Sequence, residues 1–460
     1  MLKIVIIEET KVNDKLISRF FDKLDRKSIY DFSFFSCYVQ YEYSNLSHLS
    51  RAIMIKKFGF RNFYSFKEGV EINFLGKDAT LDDTDLTNIS RVLGIKGANG
   101  SGKTNILKAI TFLYCFCSKR MVTTSGSKKK NSQIDLPFSS FMDNDEITEF
   151  YIEFIRRGTT YYYELDIKRS GIIREEIRRK HKKEVVCLIR EKNKITNCLK
   201  EFSELKNLKL KSDQSIISVT DDFDFNTEMP DLEAMNWNFT RILFNVGYNG
   251  YRNIENENYL VVSEFYHNNQ DAFEFTKKVI ESVDDGISNI TIEETTDSET
   301  GDTTYYPLFL HSDGAIDFSI GLSHESMGTK ALFVVLHKYW LAIKDGSLLV
   351  LDEFDTHLHA MILPEILELF TNPKINTNNA QLIITAHNTE IIDSLGRYRT
   401  VLVNKENNES YCFRLDDISL LRNDRPISPL YNKGKIGGVP NNIHGLASRI
   451  ADGWSDLINE

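Results

Sequence analysis

Residues 97–104 read Gly-Ala-Asn-Gly-Ser-Gly-Lys-Thr, a complete G-x-x-x-x-G-K-[ST] pattern whose spacing suits a phosphate cradle. Gly97, Gly100 and Gly102 let successive backbone N–H groups turn inward around an anion, Lys103 reaches its outer oxygens, and the Thr104 hydroxyl can coordinate Mg2+. Asn99, Ser101 and Asn105 complete the stretch able to touch the ligand. A glycine-rich turn with no ligand is the competing reading.

A second set of candidate groups lies far downstream. Ser347-Leu-Leu-Val-Leu-Asp-Glu353 is an apolar run ending in two carboxylates, the pattern of a buried parallel strand that delivers acids to its C-terminal edge. Asp352 would hold Mg2+ through water and Glu353 would orient an attacking water. Gln381-Leu-Ile-Ile-Thr-Ala-His387 is another such strand, and His387 at its end could hydrogen-bond a terminal phosphate. Upstream, Glu325-Ser-Met-Gly-Thr-Lys330 precedes the apolar helix Ala331–Leu336; Ser326 can cap that helix and donate a hydrogen bond, with Gly328 beside it.

These groups require particular elements beneath them. Val92-Leu-Gly-Ile95 supplies the strand ahead of the loop, and Asn105, Ile106, Leu107, Ala109 and Ile110 start a helix whose N-terminal dipole favours an anion. Ile55–Lys67 and Gly69–Phe74 alternate as two half-buried strands joined by a turn, and Glu149–Ile155 and Thr160–Ile167 alternate as antiparallel neighbours. Thr123–Ser132 is polar and reads as an exposed loop. From about 200 to 290 the pattern is mainly helical, as in Asp271–Val283.

The chain has 460 residues, enough for two to four structural units at roughly 100–200 residues each. A net charge of −10 excludes a globally basic nucleic-acid binder and leaves only local contact. The basic run Arg178-Arg-Lys-His-Lys-Lys183 is such a candidate, although a solvated hairpin tip is the favoured reading. Six scattered cysteines without a Cys-x-x-Cys pair suggest reduced thiols rather than zinc or disulfides. His357 and His359 read as ordinary helix residues rather than metal ligands. No signal-peptide pattern and no apolar stretch of ~18 residues is present, so a cytoplasmic protein without membrane contact is expected.

Taken in order, these motifs resemble the ABC-type ATPases of the SMC, Rad50, RecF and OLD kind, and more closely the AAA-family ATPases of bacterial phage-defence systems: abortive infection, PARIS, Septu and retron-associated. The resemblance rests on Phe58–Phe66, Gly97–Asn105, the Pro137-Phe138 and Glu146–Phe150 region, Asp284–Ile287, Glu325–Thr329, Leu348–Leu358, Thr385–Thr389 and the tail Tyr431–Pro440. It implies an α/β fold: an ABC-ATPase head with an antiparallel β lobe, a mostly parallel P-loop core sheet and a helical insertion between the two halves. The implied divisions are an N-terminal extension (1–53), a lobe with Walker A (54–165), an inserted hairpin and helical region (166–310), a lobe with signature, Walker B and His switch (311–405), and a C-terminal tail (406–460).

The resemblance further implies ATP and Mg2+ as cofactors and a homodimer or higher oligomer of ATP-sandwiched heads. Each site would combine Gly97–Thr104, Asp352, Glu353 and His387 of one subunit with Ser326 and Gly328 of another, with Asp355 at the D-loop position. The signature departs from the transporter form, reading Glu-Ser-Met-Gly-Thr, and for the Q-loop glutamine Gln133 is the candidate. Only about 55 residues follow Asn404, too few for a Toprim-type nuclease, so a separately encoded toxic effector is expected. The alternative is an SMC/RecF-like ATPase of DNA repair or maintenance with DNA as a partner; the interval 166–310 shows no sustained heptads or Cys-x-x-Cys hook for long coiled-coil arms.

Overall fold

The expected alternation does produce a strand pair. In the computed structural model, β1 (Ile53–Arg61) and β2 (Val70–Asn73) pair antiparallel. The turn between them carries Asn62 and Tyr64 at φ of 54° and 50°, backbone that most side chains avoid. The structure describes residues 53–76, 86–118, 136–220, 222–247, 250–251, 258–312, 316–418, 421, 425–440, 447–448 and 450–451. Residues 1–52 of the N-terminal extension, the Thr123–Ser132 loop and Gln133 lie outside the described residues.

Strands β4 (Thr148–Arg156), β5 (Thr159–Lys168), β6 (Gly171–Lys180), β7 (Glu184–Glu191) and β8 (Lys194–Cys198) extend that pair into an antiparallel sheet of order β2-β1-β4-β5-β6-β7-β8. A second sheet holds the candidate chemistry. It comprises β3 (Val92–Gly97), β9 (Ile242–Phe244), β15 (Leu348–Leu351), β16 (Gln381–Thr385), β17 (Thr400–Glu406) and β18 (Glu409–Arg414), in the order β18-β17-β3-β16-β15-β9. All neighbours are parallel except β18 on β17. Its central strands are buried throughout because both faces are covered, as parallel sheets require.

Helix α1 (Lys103–Cys117) packs on β3, β9, β15 and β16. Its other side meets the antiparallel lobe: Phe112 stacks on Phe150 and lies edge-on to Phe138, with ring centroids 5.1 Å apart in both cases. Every residue of this helix from Ala109 to Cys117 is buried, which explains its lack of a polar face. Gln381 ties the sheets together: its amide accepts from Ile55 N–H at 2.6 Å and donates to the carbonyls of Ile55 at 3.0 Å and Ser90 at 3.1 Å.

Residues 166–310 are woven into the structure rather than set apart from it. β6–β8 continue the antiparallel lobe, and after α2 (Pro230–Thr240) the three residues of β9 close the edge of the parallel sheet beside β15. A strand this short has no period to read, and its partner lies over a hundred residues downstream. The minor pair β10 (Val246–Gly247) and β11 (Gly250–Tyr251) follows. Helices α3 (Tyr259–Asn268) and α4 (Gln270–Val283), expected from their periodicity, then pack with α5 (Met327–Asp345) and with an antiparallel meander of β12 (Ile287–Thr296), β13 (Thr303–Ser312) and β14 (Asp317–Gly321). Tyr266 fastens this unit by donating to the Phe333 carbonyl at 2.9 Å.

The basic run sits largely on β6 and is matched by acids. Arg178 pairs with Glu164, with Glu176 at 3.2 Å and with Glu184 at 2.8 Å; Arg179 pairs with Asp231 and with Glu201 at 3.2 Å. Of the run itself, His181, Lys182 and Lys183 are exposed, at the hairpin tip. Arginines already engaged by carboxylates have little charge left for a phosphate backbone, so the hairpin-tip reading is the one the contacts favour. Cys115, Cys117 and Cys187 are buried free thiols. Among the described residues no helix is long and apolar enough to cross a membrane.

Candidate functional site

The sheet order brings the downstream acids to the loop. β3, β16, β15 and β9 run parallel, so Gly97, Thr385, Asp352 and Asn245 stand at or just past the C-terminal ends of adjacent strands, where open α/β sheets place ligands. Two of the loop glycines are sterically required. A Cβ on Gly97 would stand 2.5 Å from the Val403 carbonyl oxygen, and Gly102 has φ 113°, with Ser410 Oγ 2.8 Å from where its Cβ would be. The loop is pinned from outside as well: Ser410 Oγ donates to the Ser101 carbonyl at 2.6 Å, and Asn105 donates to Ser65 Oγ at 2.9 Å.

Lys103 is buried and folds back over the loop, donating to the carbonyls of Gly97 at 2.9 Å and Ala98 at 3.1 Å. Burial lowers its ammonium below the ordinary lysine value, opposed by the charges of Asp352, Glu353 and Asp355. Ser101 Oγ is buried with no hydrogen-bond partner among the described residues. An orphaned hydroxyl in a glycine-rich loop at the start of a buried helix fits a phosphate oxygen.

Thr104 Oγ1 donates to Asp352 Oδ2 at 2.7 Å, which joins the loop directly to the acidic strand. The other Asp352 oxygen accepts from Thr385 Oγ1, and that hydroxyl in turn accepts from the Glu353 N–H at 2.8 Å. Asp352 is thus buried and fully engaged, whereas Glu353 is exposed at φ 50°. A glutamate held in left-handed backbone next to a buried aspartate has its carboxylate turned out and free for a water. Thr104 and Asp352 form an oxygen-only pair of the kind a hard divalent cation accepts. Among the described residues no group of three or more His, Cys, Asp or Glu side chains is arranged to hold a metal.

Asp355 is engaged by backbone rather than left open. Its carboxylate accepts from the backbone N–H of His387 at 2.8 Å and of Asn388 at 2.5 Å, holding the turn after β16. The His387 side chain is exposed at that turn. Ser326 and Gly328 stand on a different element. Ser326 caps α5, accepting from the Thr329 N–H at 3.1 Å, and Thr329 Oγ1 donates to Asp284 at 3.2 Å. A Cβ on Gly328 would lie 2.9 Å from the His357 carbonyl oxygen, so this helix start adjoins the segment after Glu353 and presents Ser326 and Met327 to solvent.

Three residues at the site were not singled out from sequence: Thr385, Lys96 and Asn245. Asn245 Nδ2 donates to the Asp352 carbonyl at 2.9 Å and its Oδ1 accepts from the Asp352 N–H at 2.7 Å, so one side chain continues the sheet where β9 ends. The only signal was an asparagine after the apolar triplet Ile242-Leu-Phe244. Replacing Asn245 with alanine leaves both buried backbone groups of Asp352 unpaired and is expected to destabilise the protein by ~2 kcal/mol. An unchanged midpoint in urea unfolding would show that water serves these groups instead.

Comparison with known proteins bears on this geometry. The model of the family described as "AAA domain, putative AbiEii toxin, Type IV TA system" matches residues 92–393, from the strand before the loop to the helix after His387. No curated protein matches. Solved structures similar to the chain include an Smc head bound to the C-terminal winged-helix domain of ScpA, 15% identical at a TM-score of 0.42 over 79% of this chain and 99% of that one. A second Smc head, from Pyrococcus furiosus and bound to the C-terminal domain of ScpA, is 14% identical at a TM-score of 0.37 over 80% and 98%. The recombination mediator RecF in its ATPrS form is 12% identical at a TM-score of 0.35 over 80% and 100%.

Proposed function

The chain belongs to this AAA-domain family, and from that premise we propose that it is an ATP-hydrolysing switch of an anti-phage defence system that controls a separately encoded toxic effector. The observation that carries the ATPase part is the 2.7 Å hydrogen bond from Thr104 to Asp352, which joins a phosphate loop to an acidic strand end. The toxin–antitoxin description of the family supports the defence part.

In this reading the loop N–H groups, Ser101 and Lys103 bind the phosphates, Glu353 orients the attacking water and His387 donates to the terminal phosphate. Thr104 and Asp352 would hold Mg2+, whose charge offsets that of the phosphates. Thr385 positions both acids at once, because its hydroxyl bonds the Asp352 carboxylate and the Glu353 N–H. Ser326 and Gly328 would meet the nucleotide of a second copy, for which their exposed helix start is suited. ATP then joins two subunits, and its loss releases them.

Mixing tests the shared site. Lys103→Ala and Ser326→Ala proteins are each expected to be inactive, while their mixture recovers about a quarter of wild-type turnover. Half of randomly assorted dimers are mixed, and each of those carries one intact site of two. Absence of recovery, with mixed dimers verified by differential tagging, would count against a site shared between subunits.

A further inference from the structure

We propose that Lys96 is a positioning residue for hydrolysis: its buried ammonium clasps the turn that carries His387, so that phosphate-loop strand and histidine are held in one register. This rests on the ATPase reading above. Lys96 is the last residue of β3 before Gly97, and only 2% of it is exposed. Its Nζ donates to the carbonyls of His387 and Asn388, both at 2.8 Å. The N–H groups of the same two residues are taken by Asp355. One short turn is therefore gripped on its carbonyl edge by a cation from the loop strand and on its amide edge by an anion from the acidic strand. The exposed imidazole of His387 is the part left free.

A buried cation at this place is otherwise costly. An apolar residue would satisfy the pleat, as at Val92, Leu93 and Ile95 of the same strand. Its charged neighbours are Asp355 on the segment after β15 and Lys103 on α1; His387 borders it at the turn, and from the tail the Tyr431 ring covers it at 5.5 Å. Burial pushes the Lys96 ammonium down to about 8, Asp355 pulls it up and Lys103 lowers it further. Hydrogen bonds from an ammonium are roughly twice as strong as neutral ones, so the clasp is tightest below that pH.

The sign of the linkage separates positioning from bulk stability. The folded value of about 8 lies below the ordinary 10.5, so the folded protein binds fewer protons between the two, and the Lys96 contribution to stability rises with pH across that window. Turnover should move the opposite way as the clasp loses its charge.

The test is steady-state ATP hydrolysis by the full chain from pH 6.5 to 9.5, with ATP affinity measured alongside by a fluorescent analogue. Wild-type kcat is expected to fall above pH about 8 with affinity little changed. Lys96→Met should lower kcat at pH 7 by roughly tenfold or more, leave affinity within about threefold, and flatten the alkaline fall, because misplacement of a reacting group affects the chemical step. Lys96→Arg, charged throughout, should keep the turnover and lose the fall. A wild-type profile flat to pH 9.5 overturns the inference without any variant. So does a Lys96→Met protein with wild-type kcat and an unchanged fall. Wild-type protein that binds no ATP overturns the ATPase reading and this inference with it, whereas normal wild-type turnover with an indifferent Lys96 overturns this inference alone.

Discussion

Lys103→Ala is expected to weaken ATP binding by roughly 10²-fold, the ~3 kcal/mol of a charged hydrogen-bonding partner. In the free protein this ammonium is spent on the carbonyls of Gly97 and Ala98, which hold the loop in shape. An incoming phosphate competes for the same donor and returns negative charge to a group that burial has lowered. Truncation removes both effects: the loop loses an internal brace, and the phosphates lose the one cation buried within it. Isothermal titration with ATP measures the change. Binding within threefold of wild type would mean that the phosphates lie elsewhere, and the roles given to Thr104 and Asp352 would fall with that of Lys103.

Glu353→Gln should show the reverse split. The loop, Lys103 and Asp352 are untouched, so ATP is expected to bind as in wild type, while turnover falls ~10²-fold or more with loss of the group that handles the water proton. Protein that binds without hydrolysing should accumulate as the ATP-joined pair, and sedimentation with ATP should show a mass twice that of the free chain. The choice of Glu353 over its neighbour follows from hydrogen bonding. Both Asp352 oxygens have donors, from Thr104 and Thr385, whereas the Glu353 carboxylate is exposed. Normal turnover in the variant would remove Glu353 from the chemical step.

What the sequence disclosed was local. A phosphate loop declares itself within eight residues, and Ser347–Glu353 and Gln381–His387 declare themselves as apolar strands with polar ends, because backbone geometry and burial act over those same few residues. What stayed hidden depended on distant pairing. Asn245 matters only because β9 adds to β15, and neither three apolar residues nor one asparagine announces that. Lys96 went unremarked because its partners, the carbonyls of His387 and Asn388, come from almost three hundred residues away. The sequence left a binding patch open at Arg178 and Arg179 for the same reason: their partners Glu164, Glu201 and Asp231 come from other elements.

The burial of α1 on every side from Ala109 to Cys117 has a kinetic meaning. A helix that joins two sheets and shows no face to water from Ala109 to Cys117 cannot swing by itself; the amide hydrogens of that stretch are expected to exchange only when the whole domain opens. The anchored half of the site is therefore the half with no private motion. A signal that a nucleotide has arrived is expected to travel through the exposed groups around it, namely the side chains of Glu353 and His387 and the start of α5. The molecule is built as a fixed anvil with movable jaws, and variants that alter its timing without altering its affinity should be sought in the jaws.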